Sequence, residues 1–268
     1  MNKGLRYLAK PWFLSSALIV WSAFFAACMN SQSGQTQVAA PAISGATFVG
    51  AKECIACHEE KSNSFAHASH ARLSVIAPDG KEISSCESCH GPASLHVKAG
   101  DGKHIINPGK SPESCFKCHV EKRGEFSLPN AHQVLNGKMS CGDCHDVHEG
   151  NAIKGSGAAT LEAENETCTK CHTQQQGPYV FPHQAMREGC VSCHNPHGSV
   201  NKKMLAQRDA NLCNKCHVEH PQGLSGGGPG YINVGGEDHR TRLQNGNCWT
   251  AGCHEAVHGS NASKALRY

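Results

Sequence analysis

The feature that most constrains this chain is a short string, C-x-x-C-H, which occurs seven times in 268 residues. An eighth copy has two extra residues between its cysteines, and the eight strings together use every cysteine after Cys28. The first cysteines of the eight strings are Cys54, Cys86, Cys115, Cys141, Cys168, Cys190, Cys213 and Cys248. Their mean spacing is about 28 residues, a period typical of repeat architectures.

C-x-x-C-H is the attachment motif of c-type haem. Cysteines three residues apart lie on one face of a helical turn, where each can form a thioether to one porphyrin vinyl group. The next residue, histidine, then binds the iron as its proximal ligand. The sequence therefore predicts eight haem c groups. The predicted thioether residues are Cys54, Cys57, Cys86, Cys89, Cys115, Cys118, Cys141, Cys144, Cys168, Cys171, Cys190, Cys193, Cys213, Cys216, Cys248 and Cys253. The predicted proximal ligands are His58, His90, His119, His145, His172, His194, His217 and His254.

Zinc sites and disulfides are the competing interpretations of paired cysteines. Zinc sites also use closely spaced cysteines, and disulfides suit an exported chain. Neither requires a histidine directly after the second cysteine, yet all eight pairs have one. The pattern favours haem over both.

The chain has 19 histidines, so eleven remain after the proximal ligands are assigned. Three of them, His148, His197 and His220, lie three residues after a proximal histidine. A side chain so close in sequence cannot reach the far face of the same porphyrin, but it can reach a neighbouring iron. We expect the distal ligands to be His70, His96, His132, His148, His183, His197, His220 and His258. His239 is the reserve candidate, and His67 and His104 are the expected spares.

Two histidines on every iron leave no open coordination position, which favours electron transfer over catalysis at the haem. Some multihaem reductases have lysine in place of a proximal histidine, and no C-x-x-C-K string occurs here. We therefore expect an electron carrier, not an enzyme.

Large apolar residues are few, and only 6% of the chain is aromatic. The haems are expected to supply the missing apolar interior, so that haem attachment provides folding energy. The predicted fold is a multihaem cytochrome c, with short α-helices and extensive coil around a chain of stacked haems. It should be elongated and have almost no β-sheet.

The N-terminus has the pattern of an export signal, with basic residues before an apolar run from Pro11 to Phe25. Small residues then precede Cys28, as in bacterial lipoprotein signals. We expect a signal peptide at residues 1–27, an acylated Cys28 with a flexible tether to residue 47, and the octahaem domain at 48–268. A cleaved soluble form and an uncleaved anchor are the alternatives.

Several longer strings carry a resemblance to a known family. They include Cys86–His96 (CESCHGPASLH), Arg187–Ser199 (REGCVSCHNPHGS) and Cys253–Asn261 (CHEAVHGSN). Over about residues 48–261 the chain resembles the Mtr- and Dms-type multihaem cytochromes of outer-membrane porin–cytochrome complexes. The best-known members carry ten haems, so eight sites suggest an octahaem, Oma-like member.

The resemblance implies a bis-histidine haem conduit for extracellular electron transfer in metal reduction. Its implied partners are an outer-membrane β-barrel porin, an outer-surface multihaem cytochrome, periplasmic or inner-membrane cytochrome donors, and the cytochrome c maturation machinery. The implied location is the periplasmic side of, or within, the outer membrane, with a lipid anchor. A porin-independent electron shuttle is one alternative, and a reductase of a nitrogen or sulfur oxyanion is another.

Net charge argues against a nucleic-acid partner. The formal charge of +3 includes Lys3, Arg6 and Lys10 of the predicted signal, and without them acidic and basic residues balance at 22 each. Haem propionates would make the holoprotein acidic, whereas nucleic-acid-binding domains carry a basic face.

Overall fold

A computed structural model describes the body of the chain. It covers residues 38–73, 75–77, 80, 82–149, 161–208, 210–217, 233–234, 237–243, 247–250 and 252–268. The predicted signal peptide and Cys28 lie outside the described residues.

Short helices alternate with irregular chain throughout these residues. The α-helices are Ala51–Ile55, Glu59–Phe65, Ser85–His90, Ser94–Ala99, Glu113–Phe116, Val120–Phe126, Leu161–Thr169, Ala210–Cys213 and Arg240–Leu243. Single 3-10 turns are Ser69–Arg72, Pro108–Lys110, Cys141–Asp143, Thr173–Gln175, Gln184–Glu188, Cys190–Ser192 and Lys202–Met204. Helices of four to nine residues are too short to be stable alone, so tertiary contacts and bound groups must hold them.

Among the described residues, the β-strands are two residues long and form three antiparallel pairs. Val75–Ile76 pairs with Glu82–Ile83, Phe181–Pro182 with Gly259–Ser260, and Asn233–Val234 with Glu237–Asp238. The predicted combination of short helices, extensive coil and almost no sheet is confirmed.

The apolar core formed by the protein itself is thin. Among the described residues, the buried hydrophobic side chains are Ala68, Ala77, Ile83, Ala93, Phe116, Val134 and Ala256. Four of these are alanines, which bury little area each. The side chains alone therefore supply little of the apolar burial that a chain of this length needs.

The most buried large side chain is a carboxylate. Glu87, within the second C-x-x-C-H string, is 1% exposed. Its two oxygens accept hydrogen bonds from the backbone N–H groups of Val49, Gly50 and Ala93 and from the Ser84 hydroxyl, at 2.9–3.2 Å. Glu87 thus ties the segment before the first C-x-x-C-H string to the helix that carries the second.

The end of the predicted tether packs on the body. Pro41 is buried, and the backbone N–H of Thr47 donates to the Ser94 hydroxyl at 2.8 Å. These residues of the predicted tether therefore contact the part of the chain that carries the C-x-x-C-H strings. No helix within the described residues has the length and apolar character needed to cross a membrane.

Candidate haem-binding sites

The C-x-x-C-H strings share one backbone turn. We number them sites 1 to 8 in chain order. In sites 1, 3, 4, 5, 6 and 7 the histidine N–H donates to the carbonyl of the first cysteine at 2.9–3.0 Å. Site 2 lies within the helix Ser85–His90, where the same i to i+4 bond is part of the helix. This bond closes the turn between the first cysteine and the histidine in each string.

The eighth string makes the same closure despite its two extra residues. The N–H of His254 donates to the Cys248 carbonyl at 3.0 Å. The insertion forms a loop in which Cys253 N–H bonds the Thr250 carbonyl at 2.8 Å, and Gly252 turns the chain with φ +83°. The loop accommodates the two extra residues, so the hydrogen bond from the histidine N–H to the carbonyl of the first cysteine is retained.

Each predicted proximal histidine faces one histidine from elsewhere in the chain, and each is used once. The ring centroids of every pair are 6.0–6.2 Å apart. In site order, the pairs are His58–His96, His90–His148, His119–His70, His145–His197, His172–His132, His194–His258, His217–His183 and His254–His239.

The separation fits one metal ion between two imidazoles. An imidazole nitrogen binds a first-row metal at about 2.0–2.1 Å and lies about 1 Å from its own ring centre. Two such bonds on opposite sides of one ion place the ring centres about 6 Å apart. Ordinary packing of rings would not produce eight pairs that each join one C-x-x-C-H histidine to one other histidine.

Neighbouring sites lie together in twos. The first cysteines of sites 1 and 2, 3 and 4, 5 and 6, and 7 and 8 are close enough for their side chains to interact. These pairs are Cys54–Cys86, Cys115–Cys141, Cys168–Cys190 and Cys213–Cys248. We call each such pair of sites a two-site unit.

Consecutive units exchange histidines in a regular pattern. A histidine between the two strings of a unit faces the first site of the next unit, as His70, His132 and His183 do. A histidine just after the second string faces the second site of the preceding unit, as His148, His197 and His258 do.

The first and fourth units differ from this pattern. His96 and His239 face His58 and His254 of their own units.

Six of these sixteen rings are oriented by a backbone carbonyl. The Nδ1–H groups of His90, His96, His132, His183, His194 and His254 donate to main-chain oxygens at 2.5–2.9 Å. A carbonyl can only accept, so the proton is on Nδ1 and Nε2 is left to bind a metal. Such outer bonds fix the orientation of metal-binding histidines.

Burial keeps several of these imidazoles neutral. It is the main cause that lowers the pKa of His70, His90, His197, His217 and His258 below the ordinary value. Burial likewise raises the pKa of the Cys54 thiol to about 11 and that of Cys115 to about 12. None of the sixteen described cysteines forms a disulfide.

Seven of the eight predicted distal histidines lie against a C-x-x-C-H histidine. The eighth, His220, lies outside the described residues, and His239 faces His254 instead. His67 and His104, the expected spares, are exposed, and His104 donates from Nδ1 to the Asp101 carboxylate at 2.9 Å. Its position in the sequence could have identified His239 as a distal ligand. It lies between the two strings of a unit, as His70, His132 and His183 do.

Comparison with known proteins points to the same cofactor. A family defined by a doubled CXXCH motif matches residues 132–177 and 183–222. Over 216 residues the chain is 30% identical to "Multiheme cytochrome MtrA" of Shewanella baltica (strain OS185), covering 78% of this chain and 57% of that protein. Over 131 residues it is 28% identical to "Cytochrome c-type protein NrfB" of Escherichia coli O6:H1 (strain CFT073), covering 46% of this chain and 65% of that protein. The chain thus spans less than two thirds of either relative.

The repeated attachment turns, the histidine pairs and these relatives together define a multihaem c-type cytochrome. The prediction of covalently bound haem c is confirmed at this level.

Proposed function

We propose that this chain is an exported octahaem cytochrome that transfers electrons through eight bis-histidine c-type haems. The observation that supports it is the one-to-one matching of eight C-x-x-C-H histidines with eight other histidines at 6.0–6.2 Å. In this proposal His239 is the eighth distal ligand, in place of His220; the support is that its ring faces that of His254.

When bound, haem c supplies one-electron exchange between ferric and ferrous iron. Two cysteines and two histidines of this chain would hold each haem, which would leave no coordination site on the iron for a substrate. Backbone carbonyls on Nδ1 keep six of the histidine rings in orientation. These roles fit a carrier and not an enzyme.

The chain also places consecutive sites next to each other, as an electron carrier requires. The first cysteines of the two sites lie close together within every unit. Between units, Cys89 lies near Cys118 and Cys193 near Cys213. Sites 4 and 5 are connected through Pro196, whose carbonyl accepts from His132 Nδ1 at 2.7 Å and which directly precedes His197.

We further propose that the protein serves as the periplasmic or outer-membrane conduit of a porin–cytochrome complex. The support is the family resemblance and the similarity to MtrA over 78% of this chain. In this proposal residues 1–27 are a signal peptide, and Cys28 carries the lipid anchor. The partners are an outer-membrane β-barrel porin, an outer-surface cytochrome and periplasmic cytochrome donors, and the function is extracellular electron transfer to metal oxides.

Spectroscopy separates a carrier from an oxyanion reductase. Electron paramagnetic resonance of the oxidised native protein should contain only low-spin ferric signals, unchanged by added nitrite or sulfite. A high-spin signal that responds to either anion would contradict the carrier assignment.

Fractionation separates a conduit from a porin-independent shuttle. The native protein should copurify with a β-barrel from outer membranes, and Cys28→Ala should release it from the membrane anchor. Recovery of the wild-type protein alone, in the soluble periplasmic fraction, would contradict the conduit.

A further inference from the structure

His197, one of the paired histidines, is hydrogen-bonded to a carboxylate. The Nδ1 of His197, which faces His145 at site 4, lies 3.1 Å from Glu125 Oε2. Six others donate Nδ1–H to neutral carbonyls, as described above. A carboxylate is the stronger acceptor, because hydrogen bonds to ionised groups are roughly twice as strong as neutral ones.

Two other acidic side chains approach paired histidines less directly. Asp146 lies 3.4 Å from His148 Nδ1, but the same oxygen already accepts the His148 backbone N–H at 3.0 Å. Glu121 lies 3.8 Å from His119 Nδ1, which is beyond hydrogen-bonding distance. Glu125 therefore has the most direct carboxylate contact of the three.

Glu125 is held in place from three directions. It belongs to the helix Val120–Phe126, and Lys122, on the same helix, donates to its Oε1 at 2.8 Å. Gly198, next to His197, packs directly on the Glu125 backbone, where an added Cβ would lie 2.1 Å from the carbonyl oxygen. This close approach brings His197 to the carboxylate.

The two oxygens of the Glu125 carboxylate have different partners: Lys122 donates to Oε1 and His197 to Oε2. The Glu125 and His197 side chains are each 27% exposed, so solvent screens their interaction only in part.

We propose that Glu125 is a positioning residue that acts through His197 to lower the midpoint potential of the haem at site 4. This inference rests on the proposed function, because it requires an iron between His145 and His197. A carboxylate on Nδ1–H makes the imidazole more basic. A more basic axial ligand stabilises ferric over ferrous iron, and hydrogen bonding is one of the means by which proteins set haem potentials.

The neighbouring site 3 has the opposite environment. Its distal histidine, His70, has a buried Nδ1 that makes no hydrogen bond to any described residue. The equivalent rings His132 and His183 each bond the carbonyl of the residue before another distal histidine, Pro196 and Val257. In the unit of sites 3 and 4, the Nδ1 of His70 therefore has no acceptor among the described residues, whereas the Nδ1 of His197 has a charged one. In this proposal the haem at site 4 has a lower midpoint potential than the haem at site 3.

The test is a redox titration of the haem-loaded protein carrying Glu125→Gln, followed by electron paramagnetic resonance. Glutamine keeps the size of the side chain and removes the charge. We expect one of the eight haems to become about tenfold easier to reduce, a rise of about 59 mV for one electron. The other seven should not move.

Glu113→Gln is the matched control. Glu113 pairs with Arg123, which lies in the Val120–Phe126 helix together with Glu125. Removal of the Glu113 charge therefore changes the charge near that helix and leaves the contact of Glu125 with His197 in place. An unchanged titration for Glu125→Gln, or an equal shift in both variants, would overturn the proposal. Fewer than eight haems, or a high-spin site 4 in the wild-type protein, would instead count against the proposed function.

Discussion

The imidazole rings of His239 and His254 face each other with their centroids 6.2 Å apart and their planes inclined by 28°. His239 lies just before the helix Arg240–Leu243, whereas His254 closes the one attachment string with extra residues. This pair completes the set of eight. It also supports treating the C-x4-C-H string as a haem site equivalent to the other seven.

His239→Ala should convert one of the eight irons from low-spin to high-spin, because the site-8 iron would lose its sixth ligand. Electron paramagnetic resonance and the near-infrared charge-transfer bands report this change directly. His220→Ala is the matched control and should leave all eight irons low-spin. The reverse result would assign His220 to site 8 and exclude His239.

Gly198→Ala should destabilise the haem-loaded protein by about 1–3 kcal/mol, the usual cost of forcing extra volume into a packed site. The new methyl group would meet the Glu125 carbonyl oxygen at 2.1 Å and the Ala131 side chain at 3.2 Å. Thermal unfolding followed by circular dichroism measures the effect.

Gly124→Ala is the control for the Gly198 variant. It lies one residue from Glu125 in the same helix, with no atom within 4 Å of an added Cβ. It should be neutral or stabilising by up to about 1 kcal/mol, since alanine is the better helix former. Equal losses in both variants would contradict the close packing of Gly198 on Glu125.

Glu87→Ala should cost about 3 kcal/mol, because it leaves buried N–H donors of Val49, Gly50 and Ala93 without an acceptor. For a chain of this size that corresponds to a fall of roughly 6–12 °C in Tm. Glu82→Ala removes an exposed glutamate nearby and should change the stability by less than about 0.5 kcal/mol. If Glu87→Ala also changed the stability by less than about 0.5 kcal/mol, the carboxylate would not hold the two segments together.

The chain made without haem attachment should be largely unfolded. Its buried apolar side chains are few and mostly alanine, so the macrocycles must supply the interior. Expression without the cytochrome c maturation machinery gives the haem-free chain. Its far-ultraviolet circular dichroism should lack helical signal, and protease should degrade it rapidly. A folded, protease-resistant haem-free chain would mean that the protein core is sufficient by itself.

The local part of the candidate site could be predicted from sequence because its chemistry is encoded in five consecutive residues. A C-x-x-C-H string specifies its own turn, as the recurring bond from histidine N–H to the first cysteine carbonyl illustrates. The absence of apolar periodicity likewise predicts short helices and coil, as found.

The partner of each proximal histidine is a long-range property, and spacing alone predicts it less well. The i+3 spacing groups His220 with His148 and His197. Those two follow the second string of a unit and face the preceding unit. His220 follows the first string of its unit, where the equivalent residues of the other units are Lys61, Lys122 and Gln175. His239 occupies the inter-string position of His132 and His183. Which strings form a unit depends on contacts such as Cys213–Cys248, which no local pattern specifies.

The bond from Glu125 to His197 could not be predicted either, because the two residues are 72 positions apart. It depends on Gly198, whose missing side chain lets two distant segments approach. Glycine after a C-x-x-C-H-x-x-H string is visible in the sequence, but the segment that it meets is not.

The number and ligation of the haems in the native protein test the central claim most directly. Intact mass spectrometry should give the mass of the mature chain plus eight haems, and electron paramagnetic resonance of the same sample should contain only low-spin ferric iron. Seven or fewer haems, or a high-spin fraction of one eighth or more in the untreated protein, would contradict eight bis-histidine sites.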